Sequence, residues 1–366
     1  MSRVIATYRV QSDASAIEAR ARAIAVEQSV EMPLDAIMDG YVLSEIVGRV
    51  ESIDEASPGA FTVRISLSAE TFGRNPAQLM NMLFGNASIF DGVEFVDVQF
   101  PDAVAGVYAG PNLGIAGLRK TFGAGALTCT ALKPQGLPPE KLADLARQFA
   151  HGGVQIIKDD HGLGDQAYSP FEARVSSCAK AVRDANTATG GRTQYALHIT
   201  GTLDDLRKQI RFAKDEGIGM VLIAPMLTGL PAFHAVVSEN PDMAFMTHPA
   251  MGGAARIAPP LLFGKLFRML GSDATVFVNY GGRFSYTPHL SKAVADAARQ
   301  PWHGYRACMP VPAGGMTTDR VPELLDFYGP DVMLLIGGNL LQAREKLVEK
   351  TAAFVEAVAA HRFTSP

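Results

Sequence analysis

The chain has 366 residues, 48% hydrophobic and 19% charged, which is enough apolar sequence for a large core and suits one large domain with a smaller one. A net charge of -4 excludes a broad basic footprint for nucleic acid, and three widely spaced cysteines, Cys129, Cys178 and Cys308, exclude a disulfide framework or zinc knuckle and read as small buried residues. The polar, alternating start MSRVIATYRV does not read as a signal peptide, and no apolar run reaches membrane-span length, so a cytoplasmic protein with no membrane partner is expected.

In chain order, Val4 to Val10 alternates as a strand does, Ala14 to Gln28 has a helical pattern, and Tyr41 to Val50 and Phe61 to Leu67 read as strands. Pro76 to Leu83 carries the proline of a helical first turn and precedes a strand at Val93 to Phe100. These elements make a small N-terminal α+β domain over residues 1–108. The glycine- and proline-bearing stretch Ala109 to Ile115 is the expected connection.

From residue 126 a rhythm begins. Apolar runs, each followed by a turn and a helical pattern, recur eight times: Ala126–Pro134, Val154–Asp160, Gln194–Thr200, Met220–Met226, Ala244–Ala250, Ala274–Tyr280, Arg306–Gly314 and Val332–Gly338. Leu137–Gly152, Leu203–Glu216 and Pro260–Gly271 show the intervening 3.6-residue period. Continuously apolar strands alternating with helices imply a parallel sheet covered on its faces. Eight units over residues 109–366, with a C-terminal helix, predict an α/β fold: a (β/α)8 TIM barrel preceded by the α+β domain. A doubly wound open sheet is the rival, but no G-x-G-x-x-G or G-x-x-x-x-G-K-[ST] stands where a nucleotide-binding fold needs it.

Barrel chemistry gathers at the C-terminal ends of the strands. There the sequence offers Lys133, then Lys158-Asp159-Asp160-His161, His198, His248, the run Asn279-Tyr280-Gly281-Gly282-Arg283, and glycine pairs at Gly314-Gly315 and Gly337-Gly338. One glycine pair is usually a turn; two pairs on the last two strands point to phosphate. A lysine closing a buried apolar strand is costly without a task. His198 stands equally as a hydrogen-bonded structural residue or a proton carrier. Phosphate on one side and carboxylate with imidazole on the other suggest a sugar phosphate and a cation.

Three segments, Gly110-Pro111-Asn112-Leu113-Gly114-Ile115, Thr130-Ala131-Leu132-Lys133-Pro134 and Gly152-Gly153-Val154-Gln155-Ile156-Ile157-Lys158-Asp159-Asp160, resemble the large subunit of RuBisCO in order and spacing. The resemblance implies a homodimer whose N-terminal domains complete the partner's active site. It implies that Lys133 manages protons on an enediolate, and that Lys158 takes up carbon dioxide as a carbamate. Lys158, Asp160 and His161 would then hold Mg2+. The resemblance also implies that His248 and Asn86, with Glu27, are active-site residues, and that Gly314, Gly315, Gly337 and Gly338 bind phosphate.

The departures shape the functional expectation. The family's third metal ligand is glutamate and here it is His161, a softer donor that opens the site to other divalent metals. The N-terminal phosphate motif is replaced by Gln28-Ser29-Val30-Glu31-Met32-Pro33. A mobile-loop lysine is replaced by Gly282-Arg283-Phe284, where Arg283 can still meet an anion, and a serine by Ala313. A RuBisCO-like, non-carboxylating enzyme acting on a monophosphate is expected. The favoured activity is isomerisation of 5-methylthioribulose 1-phosphate in sulfur (methionine) salvage. The alternatives are 2,3-diketo-5-methylthiopentyl-1-phosphate enolase, a carbon–carbon cleaving enzyme on an oxo sugar-acid phosphate, and a non-catalytic ligand-binding barrel.

Overall fold

In β1 (Arg3–Gln11) every second residue, Val4, Ala6, Tyr8 and Val10, is buried, the pattern a sheet with one wet face imposes. The structure, a computed structural model, describes residues 2–363. It divides into two units, Met1–Ala109 with Met251–Leu262, and Gly110–Ala250 with Phe263–Pro366.

The first unit holds an antiparallel sheet of order β2-β3-β1-β4, with β2 at Arg49–Ser57, β3 at Ala60–Ser68 and β4 at Val93–Gln99. Helix α1 (Ile17–Glu27) packs on β2 and β3 through an apolar stripe that includes Ala21 and Ile24. Helix α2 (Pro76–Phe84) starts where the Asn75 side chain accepts the Gln78 N–H. The Phe84 ring joins Tyr8 and Phe95 at centroid distances of 5.6–6.2 Å. A short α3 (Asp102–Ala105) follows.

One expected strand is corrected. Val42–Ile46 winds as a π-helical turn, and the strand begins only at Arg49. Tyr41, Val42, Leu43 and Ile46 fit either period over so short a run, and β2 is an edge strand exposed along most of its length, which leaves no buried alternation to read. Met251–Leu262, in the middle of the barrel region by sequence, belongs to this unit. Phe95 bridges Ile257, accepts the Ala258 N–H at 2.8 Å and donates to Arg256 O at 3.0 Å.

In the second unit eight parallel strands nearly close a barrel in the order β11-β10-β9-β8-β7-β6-β5-β12. They are β5 (Leu127–Leu132), β6 (Ile156–Asp159), β7 (Gln194–His198), β8 (Met220–Ile223), β9 (Ala244–Thr247), β10 (Ala274–Val278), β11 (Met309–Ala313) and β12 (Met333–Leu335). The helices of this unit are α4 (Gly114–Phe122), α5 (Pro139–His151), α6 (Phe171–Thr189), α7 (Leu203–Asp215), α8 (Pro225–Thr228), α9 (Leu230–Glu239), α10 (Phe267–Met269), α11 (Pro288–Arg299), α12 (Val321–Tyr328), α13 (Gly338–Leu341) and α14 (Leu347–Ala360). Cys129, Ile156, Ala196, Met220, Met246, Val276, Met309 and Met333 are among the side chains filling the interior, and Ile115 and Leu118 of α4 join them. Asp273 fixes the start of α4, accepting Leu113 N at 2.6 Å, Gly114 N at 2.8 Å and Phe245 N at 2.8 Å. Helix α4 packs where strands begin, leaving their C-terminal ends for chemistry.

Strand β6 decides how that end is built. Lys158 lies two residues after the core residue Ile156 and shares its inward face, whereas Asp159 faces the helix layer. There the Asp159 carboxylate accepts from Arg174 Nε at 3.3 Å, Tyr195 OH at 2.7 Å and His198 N at 3.1 Å, and both side chains of the ion pair are fully buried. Arg174 Nη1 also donates to Gly164 O at 2.6 Å and Ser169 O at 3.2 Å, so one guanidinium holds the loop that leaves β6. Replacing Arg174 with Met strands a buried carboxylate and should cost about 3–5 kcal/mol. Removing only the Tyr195 hydroxyl (Tyr195→Phe) should cost about 1 kcal/mol. Urea unfolding of both variants checks the order; equal losses would show that the ion pair does not dominate.

Candidate active site

Beyond β6, Asp160 turns inward and accepts the Gly162 N–H at 3.0 Å on Oδ1, while Lys133, at the end of β5, contacts its Oδ2. Burial opposes ionisation of Asp160, but Lys133, Lys158 and the Gly162 N–H outweigh it and bring the carboxyl down to about 2. Lys158 is 3% exposed, and its Nζ donates to the Asp159 carbonyl at 2.9 Å. Burial first, with Lys133 adding repulsion, lowers its pKa and favours the neutral amine.

Three imidazoles surround this group. His161 Nδ1 lies 3.4 Å from Asp160 Oδ1, and its ring stacks on His248 at 3.9 Å between centroids and 14° between planes. Burial, then the charges of Lys158 and His161, push His248 down to about 2; burial also lowers His161 and His198. Stacked neutral rings avoid the repulsion of two imidazolium ions. His248 Nδ1 accepts the Ala250 N–H at 3.2 Å, and His198 Nδ1 faces the Leu163 carbonyl at 2.8 Å.

The glycine pairs stand at the ends of β11 and β12. Gly314 and Gly315 have φ of 98° and 101°, and a Cβ on Gly315 would sit 3.0 Å from Arg283 N, so only glycine suits both backbone and space. Arg283 N donates to Gly314 O at 3.0 Å, which ties the loop after β10 to this turn; its guanidinium is exposed beside Phe284. Gly337, before α13, is close enough to Lys133 that a Cβ on it would lie 4.0 Å from Lys133 Cε. Lys133 thus has Asp160 on one side and a glycine turn on the other.

The second unit therefore brings together Lys133, Lys158, Asp160, His161 and His248, with His198 on the neighbouring strand. Asn86 and Glu27 lie in the first unit, where Asn86 Nδ2 donates to Glu27 Oε1 at 2.8 Å and Glu31 Oε1 at 3.0 Å. Sequence inspection misses Arg174, Tyr195 and the Leu163 carbonyl. A signal for Arg174 exists: it interrupts the buried stripe Phe171, Val175 and Cys178 of α6, a place an arginine occupies only with a buried partner.

Among the described residues no three His, Cys, Asp or Glu side chains converge as a ready-made metal site. Asp160 and His161 offer one oxygen and one nitrogen donor, and an unprotonated Lys158 beside them has the chemistry to become an oxygen donor by carbamylation. No described helix is long and apolar enough to cross a membrane.

The family described as the ribulose bisphosphate carboxylase large chain, catalytic domain, matches residues 114–343. The chain is 56% identical over 360 residues to a 5-methylthioribulose-1-phosphate isomerase of Rhodospirillum rubrum, covering 98% of this chain and 96% of that one. It is 28% identical to a 2,3-diketo-5-methylthiopentyl-1-phosphate enolase of Geobacillus thermodenitrificans, over 93% of this chain and 88% of the relative. A crystal structure of a Rubisco-like protein from Rhodopseudomonas palustris superposes with a TM-score of 0.93 at 52% identity, over 100% of both chains. The chain belongs to the RuBisCO large-chain family, in its RuBisCO-like branch.

Proposed function

We propose that this protein is an isomerase that enolises a ketose monophosphate, with 5-methylthioribulose 1-phosphate as substrate. The observation that carries this reading is the pairing of Lys133 with an ionised Asp160 beside the buried Lys158, at the open end of the barrel. The 56% identity to an isomerase of that name supports the substrate. The enolase has support only from relatives at lower identity, such as the 28% match.

The donor chemistry fits a divalent cation: Asp160, His161 and a carbamate on Lys158 would hold Mg2+, or another divalent metal on account of the imidazole. Such an ion supplies Lewis-acid stabilisation of the enediolate oxygen. The chain's own residues do the rest. Lys133, held on Asp160, delivers a proton to the substrate oxygen as the carbonyl opens. The backbone N–H groups of Gly314, Gly315, Gly337 and Gly338, with Arg283, anchor the single phosphate. His198 and His248 border the reacting carbons. Two lysines retained at this end argue against a mere binding barrel, because burying Lys158 without a task is costly.

We also infer a homodimer in which Asn86 and Glu27 complete the partner's site. The first unit exposes Met32, Leu34, Met38, Tyr41 and Leu43 within one short segment, and Met38 is 94% exposed. Sedimentation of the protein should give a dimer, and Met38→Glu with Leu43→Glu should shift it toward monomer; a monomeric parent overturns this reading.

In deuterium oxide the enzyme should exchange carbon-bound hydrogen of 5-methylthioribulose 1-phosphate and isomerise it. Lys133→Met should lower both by about 10²–10⁴-fold while the variant stays folded by circular dichroism. Absence of exchange with any ketose phosphate rejects the enolisation reading. Metal retained per chain after dialysis should rise with bicarbonate in the parent and stay low in Lys158→Met. Bicarbonate-independent retention in both would remove the carbamate.

A further inference from the structure

His198 closes β7 two residues after Ala196, a side chain of the barrel core, so the imidazole points to the same interior face at the open end. It is 3% exposed. Its Nδ1 lies 2.8 Å from the Leu163 carbonyl oxygen, and only a donor can face a carbonyl, so Nδ1 carries the hydrogen. The neutral ring then presents a lone pair at Nε2, and that atom is buried with no hydrogen-bond partner among the described residues.

The other basic groups are committed elsewhere. Lys133 contacts the Asp160 carboxylate, His161 Nδ1 leans toward Asp160 Oδ1 at 3.4 Å, and Lys158 Nζ donates to Asp159 O. His248 has the opposite tautomer: its Nδ1 accepts the Ala250 N–H, which places the ring hydrogen on Nε2. Leaving a buried acceptor bare is costly, so something must fix it in place. The fixing groups are on the outer face. His198 N donates to Asp159 Oδ2, and Leu163 is held by its N–H to Asp160 O at 3.0 Å and by the Arg174 bond to the adjacent Gly164 O.

We propose that His198 is the proton acceptor of the reaction: Nε2 takes the hydrogen from the substrate carbon beside the carbonyl. This rests on the enolisation reading above. The C–H pair becomes the carbon–carbon double bond and the carbonyl π pair moves to oxygen, which Lys133 protonates. On the return, the oxygen on the neighbouring carbon gives its proton to the Lys133 amine, which restores that group, the carbonyl re-forms there, and His198 returns its proton to the carbon that held the first carbonyl. Atoms and electrons balance with no external co-reactant. Arg174 and Asp159 are positioning residues, acting through Leu163 and the β7 backbone.

The test uses the metal-loaded enzyme and 5-methylthioribulose 1-phosphate in deuterium oxide. His198→Gln should lose carbon-bound exchange by about 10²–10⁴-fold, with KM and metal content unchanged. Exchange at the parental rate in the variant overturns the assignment to His198, and loss of metal together with exchange overturns it in favour of a ligand role. A parent that exchanges nothing sinks the enolisation reading and this one with it, so the two failures are distinguishable. Should His198→Gln not fold, the ¹⁵N shifts of His198 in the parent decide: a bare Nε2 upholds the proposal, and a protonated Nε2 in the neutral ring overturns it.

Discussion

An arginine and an aspartate, both sealed from water, govern the open end of the barrel. Taking such a pair out of solvent costs several kcal/mol per ion, and the cost is offset only when the remaining polar atoms are also met. Asp159 meets that condition with a guanidinium, a phenol and a backbone N–H. Arg174 sends its other bonds to the carbonyls of Gly164 and Ser169. Among the described residues only Arg174 Nη2 of this pair lacks a partner, and these bonds tie down the loop directly behind Asp160 and His161. The reactive side of the strand inherits its geometry from the unreactive side.

The two-residue period of a strand makes this possible. Lys158 faces the barrel and Asp159 faces the helices, so consecutive residues of one four-residue strand serve chemistry and support. The charges then follow. Lys133 and Asp160 beside Lys158 make an ion pair. On the reading proposed above, a carbamate on Lys158 would add one negative charge to that pair, the imbalance a divalent cation would correct. Burial lowers the pKa of Lys158, the direction that a carbamate on the proposed reading requires.

The barrel was legible because its strands are buried on both faces and its helices on one, two patterns that differ plainly in sequence. All eight expected strand regions contain one of β5 to β12. What escaped was set by partners distant in the chain. Strand β2 is polar because it is an exposed edge, and Val42–Ile46 is too short for its period to decide. The segment Met251–Leu262 joins the first unit through Phe95, more than 150 residues away by number, and no local pattern announces that. Candidate site residues at strand ends are legible by type and position. Arg174 and Tyr195, which hold them, lie inside ordinary element patterns and gain meaning only once Asp159 is seen between them.

His161 sharpens what the site can hold. A carboxylate at this position would carry a further negative charge beside His248. The imidazole stacks on that ring at 3.9 Å, and burial first, with the neighbouring lysines, lowers its pKa against the pull of Asp160. The stack fixes the ring while leaving a nitrogen lone pair for a ligand bond. Replacing an anionic oxygen by a neutral nitrogen weakens the hold on a hard ion more than on a borderline one. On the proposed metal reading, His161 would therefore lower the charge of the donor set and widen its metal tolerance together.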